Sequence, residues 1–105
     1  MAKIVAIVSD LMLASRVSES LKAAGHEVAV APMLPDPLEA EAIVCDLDTA
    51  DLEAVVGTGL PTLGFYSHVD VETKQRAEAA GLQQVVPRSR MARELPQLLD
   101  RLLSD

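Results

Sequence analysis

The chain has 105 residues, 50% of them apolar and 24% charged, with only six prolines and five glycines. That length suits one core, and residues 1–105 are read as one domain, because compact domains commonly run to roughly 100–150 residues; the composition excludes disordered, collagen-like and disulfide-scaffold chains. Sixteen acidic against nine basic residues leave a net charge of −7, which repels a phosphate backbone, and the two aromatic residues, Phe65 and Tyr66, build no base-stacking platform, so nucleic acid is not an expected partner.

Apolar runs are interrupted well before the ~20 residues a membrane span requires. The first ten residues hold an abbreviated apolar segment with no small-residue cleavage site after it, so a cytoplasmic chain is expected, with no membrane contact. Cys45 is the sole cysteine. It has no intramolecular disulfide partner and sits in Ala42-Ile43-Val44-Cys45, the pattern of a strand interior, where it serves as a small core side chain.

In chain order, residues 3–8 form a β-branched run closed by Ser9-Asp10, as in a parallel strand buried on both faces. Over residues 11–24, Leu13, Val17, Leu21 and Ala24 recur at helical spacing, with Arg16, Glu19 and Lys22 off the stripe and Gly25 as the stop. Residues 27–31 read as a second strand, and His26 before it as an exposed residue. Pro32, Pro35 and Pro37 then break the chain, leaving residues 38–41 room for at most a turn of helix. Residues 42–46 make a third strand ending in Asp46-Leu47-Asp48, and residues 51–56 a short helix closed by Gly57 and Gly59. Residues 61–66 make the fourth strand, residues 71–80 a helix stopped by Gly81, and residues 83–86 the fifth strand. In the last helix Met91, Leu95, Leu98, Leu99 and Leu102 share one stripe. Pro96 places the start of its regular part near Glu94, with residues 89–93 leading in, because proline is tolerated in a first turn.

Five strands alternating with helices imply right-handed crossovers and a parallel sheet covered on both faces, a doubly wound α/β sandwich with shortened second and third helices. In such sheets chemistry collects beyond the carboxyl ends of the strands. That rule selects Ser9, Asp10, Asp46, Asp48, Tyr66, Ser67, His68 and Arg88.

These strand ends resemble those of the CheY-like receiver domain of bacterial response regulators, a flavodoxin-like three-layer sandwich. The likeness covers the chain from Lys3 to Arg88. Val8-Ser9-Asp10 resembles the acidic pair of that family, Ile43-Val44-Cys45-Asp46 the strand carrying the phosphoacceptor aspartate, and Pro61 to Tyr66 the strand ending in a hydroxyl switch residue. Val85-Val86-Pro87-Arg88 takes the place of the segment ending in a lysine. The resemblance implies Asp46 as phosphoacceptor, Mg²⁺ held by Asp10, Asp46 and Asp48, and Ser67 and Arg88 on the phosphoryl oxygens.

The sequence also departs from that pattern. Ser9 replaces one acid and removes a charge from the metal site. Tyr66 is too long for the hydroxyl switch, although Ser67 next to it suits the role. Arg88 has a planar fork where a compact ammonium is usual. Val85 stands where many receivers carry a switch aromatic. The spans from Asp10 to Asp46 and from Asp46 to Tyr66 are shorter than usual in the family.

Other readings of the same residues are available. A carboxylate at a strand end also caps a following helix, which applies to Asp10, Asp46 and Asp48. Val44-Cys45-Asp46-Leu47-Asp48-Thr49 resembles the nucleophile motif of haloacid dehalogenase-type phosphatases, a metal-dependent enzyme alternative, but the glycine after the second aspartate and a later acidic motif are missing. Ser67-His68-Val69-Asp70 is no hydrolase triad, since consecutive residues do not converge, and His68 reads first as a helix-capping loop residue, with a general base, a metal ligand or a pH-sensitive contact as the alternatives. No glycine-rich phosphate loop follows the first strand. Arg88, Arg90 and Arg93 read as a solvated helix start.

Two functions follow from the resemblance. The first is a non-enzymatic pseudo-receiver that acts by protein interaction or as a homodimer, through the face that receivers build from their fourth helix, fifth strand and fifth helix, here residues 71–80 and 90–103. The second is a receiver phosphorylated on Asp46 in a phosphorelay.

Overall fold

A computed structural model of the chain describes residues 2–67 and 71–104. Its elements run β1 (Lys3–Ile7), α1 (Leu11–Ala23), β2 (Glu27–Ala31), β3 (Ala42–Asp46), α2 (Leu52–Val56), β4 (Thr62–Tyr66), α3 (Val71–Ala79), β5 (Gln84–Pro87) and α4 (Arg88–Ser104). The five strands form one parallel sheet in the order β2-β1-β3-β4-β5. Chain order therefore reverses beside β1, which is flanked by β2 and β3, and a doubly wound sheet places its ligand crevice at that switch point.

Strand alternation assigns the side chains to two layers. Ile4, Ala6, Val44, Leu63, Phe65 and Val86 face one side, where they pack with Leu13, Val17 and Leu21 of α1 and Met91, Leu95, Leu98, Leu99 and Leu102 of α4. Each fully buried leucine there contributes roughly 1.5–3 kcal/mol relative to exposure. Val5, Ile7, Ile43 and Cys45 face the other side and pack with Val55 of α2. The helical spacing read in α1 and α4 is thus the spacing of this core, and Gly25, with φ of 94°, supplies the left-handed residue that ends the first turn toward β2.

Three sequence expectations need correction. The shortened second helix is absent: residues 32–41 hold no helix, because three prolines in six residues remove amide donors and fix φ. Leu34, Leu38 and Ala40 pack on the second face in its stead. They leave a hollow of about 410 Å³ lined by Ile7, Met33, Leu34, Ala54 and Val55. The third helix is short, as expected, at five residues.

Residues 89–93, expected as a lead-in, are themselves helical from Arg88, and Glu94, with φ of −124° and ψ of 15°, breaks the helical geometry after them. The regular helix carrying Leu95 to Leu102 restarts past Glu94, as expected, with Pro96 in its first turn, where its missing amide proton leaves no bond unmade. His26 is half-buried rather than exposed, and its Nδ1 accepts the Ala2 amide at 3.3 Å.

Candidate functional site at the carboxyl ends of the strands

Five of the residues selected from the sequence surround the carboxyl edge of the sheet. Asp46 is the last residue of β3 and pairs across the ladder with Phe65. The residue is buried, at 8% exposure, while Ser9 and Asp10 after β1, Asp48 after β3 and Ser67 after β4 are exposed. Arg88 opens α4 directly after β5 and lines a hollow of about 420 Å³ with Leu13, Arg16, Val17, Met91 and Leu95. Tyr66 is buried within β4, opposite Pro87. Strand alternation turns it away from the layer that holds Phe65, toward the second face. His68 lies outside the described residues.

The local bonding of each carboxylate is specific. Asp10 caps α1, with Oδ1 accepting the amides of Met12 at 2.9 Å and Leu13 at 3.1 Å, which satisfies donors the helix leaves unpaired. Asp46 Oδ1 accepts the Asp48 amide at 3.0 Å. The Asp48 carboxylate reaches across to β4, where Oδ2 accepts the Ser67 amide at 3.0 Å and the Ser67 hydroxyl. Asp51, not Asp48, caps α2, accepting the Ala54 amide at 3.3 Å.

Burial pushes the Asp46 carboxyl above its ordinary range; the Asp48 amide bond opposes the shift, the Asp48 charge adds to it, Arg88 opposes it and Asp10 adds to it. Asp10, Asp48 and Arg88 are therefore close enough to Asp46 to act on its charge. Burial pushes the Cys45 thiol up to about 12, with the Asp46 charge a lesser cause, which fits a core side chain and not a nucleophile.

Mg²⁺ requires carboxylate and water oxygens in near-octahedral array. Asp10 Oδ1 is committed to the α1 amides and Asp48 Oδ2 to Ser67, so each of these carboxylates has one oxygen left with which to meet a cation beside Asp46. Among the described residues no three acidic, histidine or cysteine side chains gather as a cation site.

The basic residues are also locally engaged. Arg90 pairs with Glu94 at 3.4 Å, and Arg93 Nε donates to the Ser89 carbonyl at 3.4 Å.

The tie between Asp48 and Ser67 was missed in the sequence, where Ser67 was matched to a phosphoryl group. A turn in which an aspartate accepts the amide two residues on is a known habit of Asp-x-x segments. That signal was present in Asp46-Leu47-Asp48, but the partner 19 residues away was not.

Solved structures share this architecture throughout. The receiver domain of the Francisella response regulator 1452 matches with a TM-score of 0.81 at 15% identity, over 99% of this chain and 98% of that one. The non-phosphorylated HemR receiver domain from Leptospira biflexa matches at 0.83 and 21% identity, over 100% and 96%. The BeF3-activated DrrB receiver domain matches at 0.82 and 18% identity, over 100% and 99%. No family model matches the sequence, and no curated protein is similar to it. The chain has the receiver-domain fold, flavodoxin-like, with five parallel strands. None of its described helices is long and apolar enough to cross a membrane.

Proposed function

We propose that this chain is a pseudo-receiver: a signalling module of the two-component type that does no phosphoryl chemistry and acts through contacts with other proteins. One observation carries this reading. Each carboxylate that would hold Mg²⁺ beside Asp46 has one oxygen committed to the fold, Asp10 Oδ1 to the N-terminus of α1 and Asp48 Oδ2 to Ser67. Ser9 in place of a second acid and the buried Tyr66 support it.

Without metal to neutralise an incoming anion, the acidic edge formed by Asp10, Asp46 and Asp48 repels a phosphoryl donor. What the fold then offers is surface. The contact face is the one made by α3, β5 and α4, by likeness with receivers, and a second copy of the chain is its simplest partner. That face is rich in exposed charge, including Glu72, Lys74, Arg76, Arg93 and Arg101, which favours a polar, salt-sensitive contact.

The test is incubation with an acyl phosphate donor and Mg²⁺, followed by intact mass. An unchanged mass is expected, whereas a phosphate adduct lost in Asp46→Asn would establish the alternative, a phosphorylatable receiver. Light scattering over a range of protein and salt concentrations checks the second part, and a strictly monomeric profile at high concentration would count against the homodimer.

A further inference from the structure

The loops leaving β3 and β4 are tied together by one side chain. Asp48 Oδ2 accepts both donors of Ser67, its amide and its hydroxyl, although the residues are 19 apart in sequence. The Asp48 amide in turn donates to Asp46 Oδ1 at 3.0 Å, and the Asp46 carbonyl accepts the Ala50 amide at 2.8 Å. The turn after β3 is thereby closed at both ends, and the Asp48 carboxylate is aimed rather than free to swing.

The chemical consequence lies in what Ser67 meets. A hydroxyl and an amide at the carboxyl end of β4 have captured an anion held at the carboxyl end of β3, two residues beyond Asp46. A phosphoryl group on Asp46 would ask for the same kind of donor. Here an internal carboxylate has taken the donor already, and charge-assisted bonds of this sort are stronger than neutral ones.

We infer that Asp48 is a built-in anion that latches Ser67, holding the donors a phosphoryl group on Asp46 would ask for and tying the carboxyl ends of β3 and β4 together with no modification of the chain. The inference deepens the pseudo-receiver reading and rests on it: a module that works without phosphate needs another means of fixing the end of β4. Asp48 and Ser67 are positioning residues in this scheme, and both are exposed, so substituting them leaves the core untouched.

Amide hydrogen exchange on the full chain, read residue by residue by NMR, tests the latch. The Ser67 amide is expected to be protected in the wild type and to exchange about tenfold faster or more in Asp48→Ala, the scale on which losing a charge-assisted bond opens an exposed site. Protection of Val5 and Val44 in the central strands should be unchanged. Ser67→Ala keeps the amide and loses the hydroxyl, so a smaller increase is expected at the same position.

A Ser67 amide that is unprotected in the wild type, or equally protected in Asp48→Ala, overturns the latch. The two readings fail separately. Phosphate uptake at Asp46 with Ser67 still protected sinks the phosphate-free reading and leaves the bond, whereas an unprotected Ser67 in a chain that takes up no phosphate sinks the latch alone.

Discussion

Asp46 Oδ1 accepts the Asp48 amide at 3.0 Å while the Asp46 carbonyl accepts the Ala50 amide at 2.8 Å, so one residue ends β3 and opens the turn that follows. Its carboxyl is raised chiefly by burial. A native value above the unfolded one means that the fold binds the proton more tightly. The associated stability is complete below the ordinary carboxylate range and is lost as pH rises through the raised native value. Asp46→Asn keeps the acceptor oxygen and removes the charge. It is expected to raise the melting temperature at neutral pH by roughly a few degrees, with the gap closing in acid. A variant less stable than wild type at neutral pH would show that the charge is better compensated than its burial implies.

Asp10 is a helix cap first. Asp10→Ala should cost about 1 kcal/mol in denaturant unfolding, and Asp10→Asn close to nothing, because asparagine caps as well as aspartate does. A metal ligand would give another pattern: Asp10→Asn would abolish any stabilisation by Mg²⁺. Unfolding curves with and without Mg²⁺ separate the two roles, and no effect of the ion on either protein is expected.

Gly64 sits in the middle of β4, and a methyl group there would come within 2.8 Å of Leu82 Cδ2 and 2.9 Å of both Leu47 methyls. The close atoms are the ends of leucine side chains, and Leu47 is only half-buried, so part of the clash is relieved by rotation. Gly64→Ala is expected to destabilise by about 1 kcal/mol, at the low end of overpacking costs. A truncation of Leu47 in the same chain should recover most of that, which a double-mutant cycle measures.

Cys45 is fully buried, and its thiol is pushed up to about 12. In the native protein it should react with a thiol reagent only as fast as the chain opens, then at once in denaturant. Rapid labelling under native conditions would mean that the centre of the sheet is accessible to solvent.

The elements were legible wherever one period dominated. The leucine stripe of α4 and the β-branched runs of β1 and β3 are local patterns that the packed layers simply use. The prolines at 32, 35 and 37 announced a break but not what fills it, since the packing of Leu34, Leu38 and Ala40 under the sheet depends on residues distant in sequence. The helix start near Glu94 was legible because proline is tolerated in a first turn, whereas the helical turn before it was not, since it goes with burial of Met91 on the same face. At the site, strand-end carboxylates were found by position alone. Their partners were not, because whether an aspartate faces a metal, its own helix or a serine on the next strand is decided by side-chain direction.

In a pseudo-receiver the strand-end site makes no metal-phosphoryl complex. Backbone amide NMR shifts with Mg²⁺ and beryllofluoride, which together mimic a phosphorylated aspartate, test it most directly. A well-folded spectrum unchanged by both reagents is expected. Localised shifts at Asp46, Ser67 and Arg88 would contradict it and show a working phosphoacceptor switch.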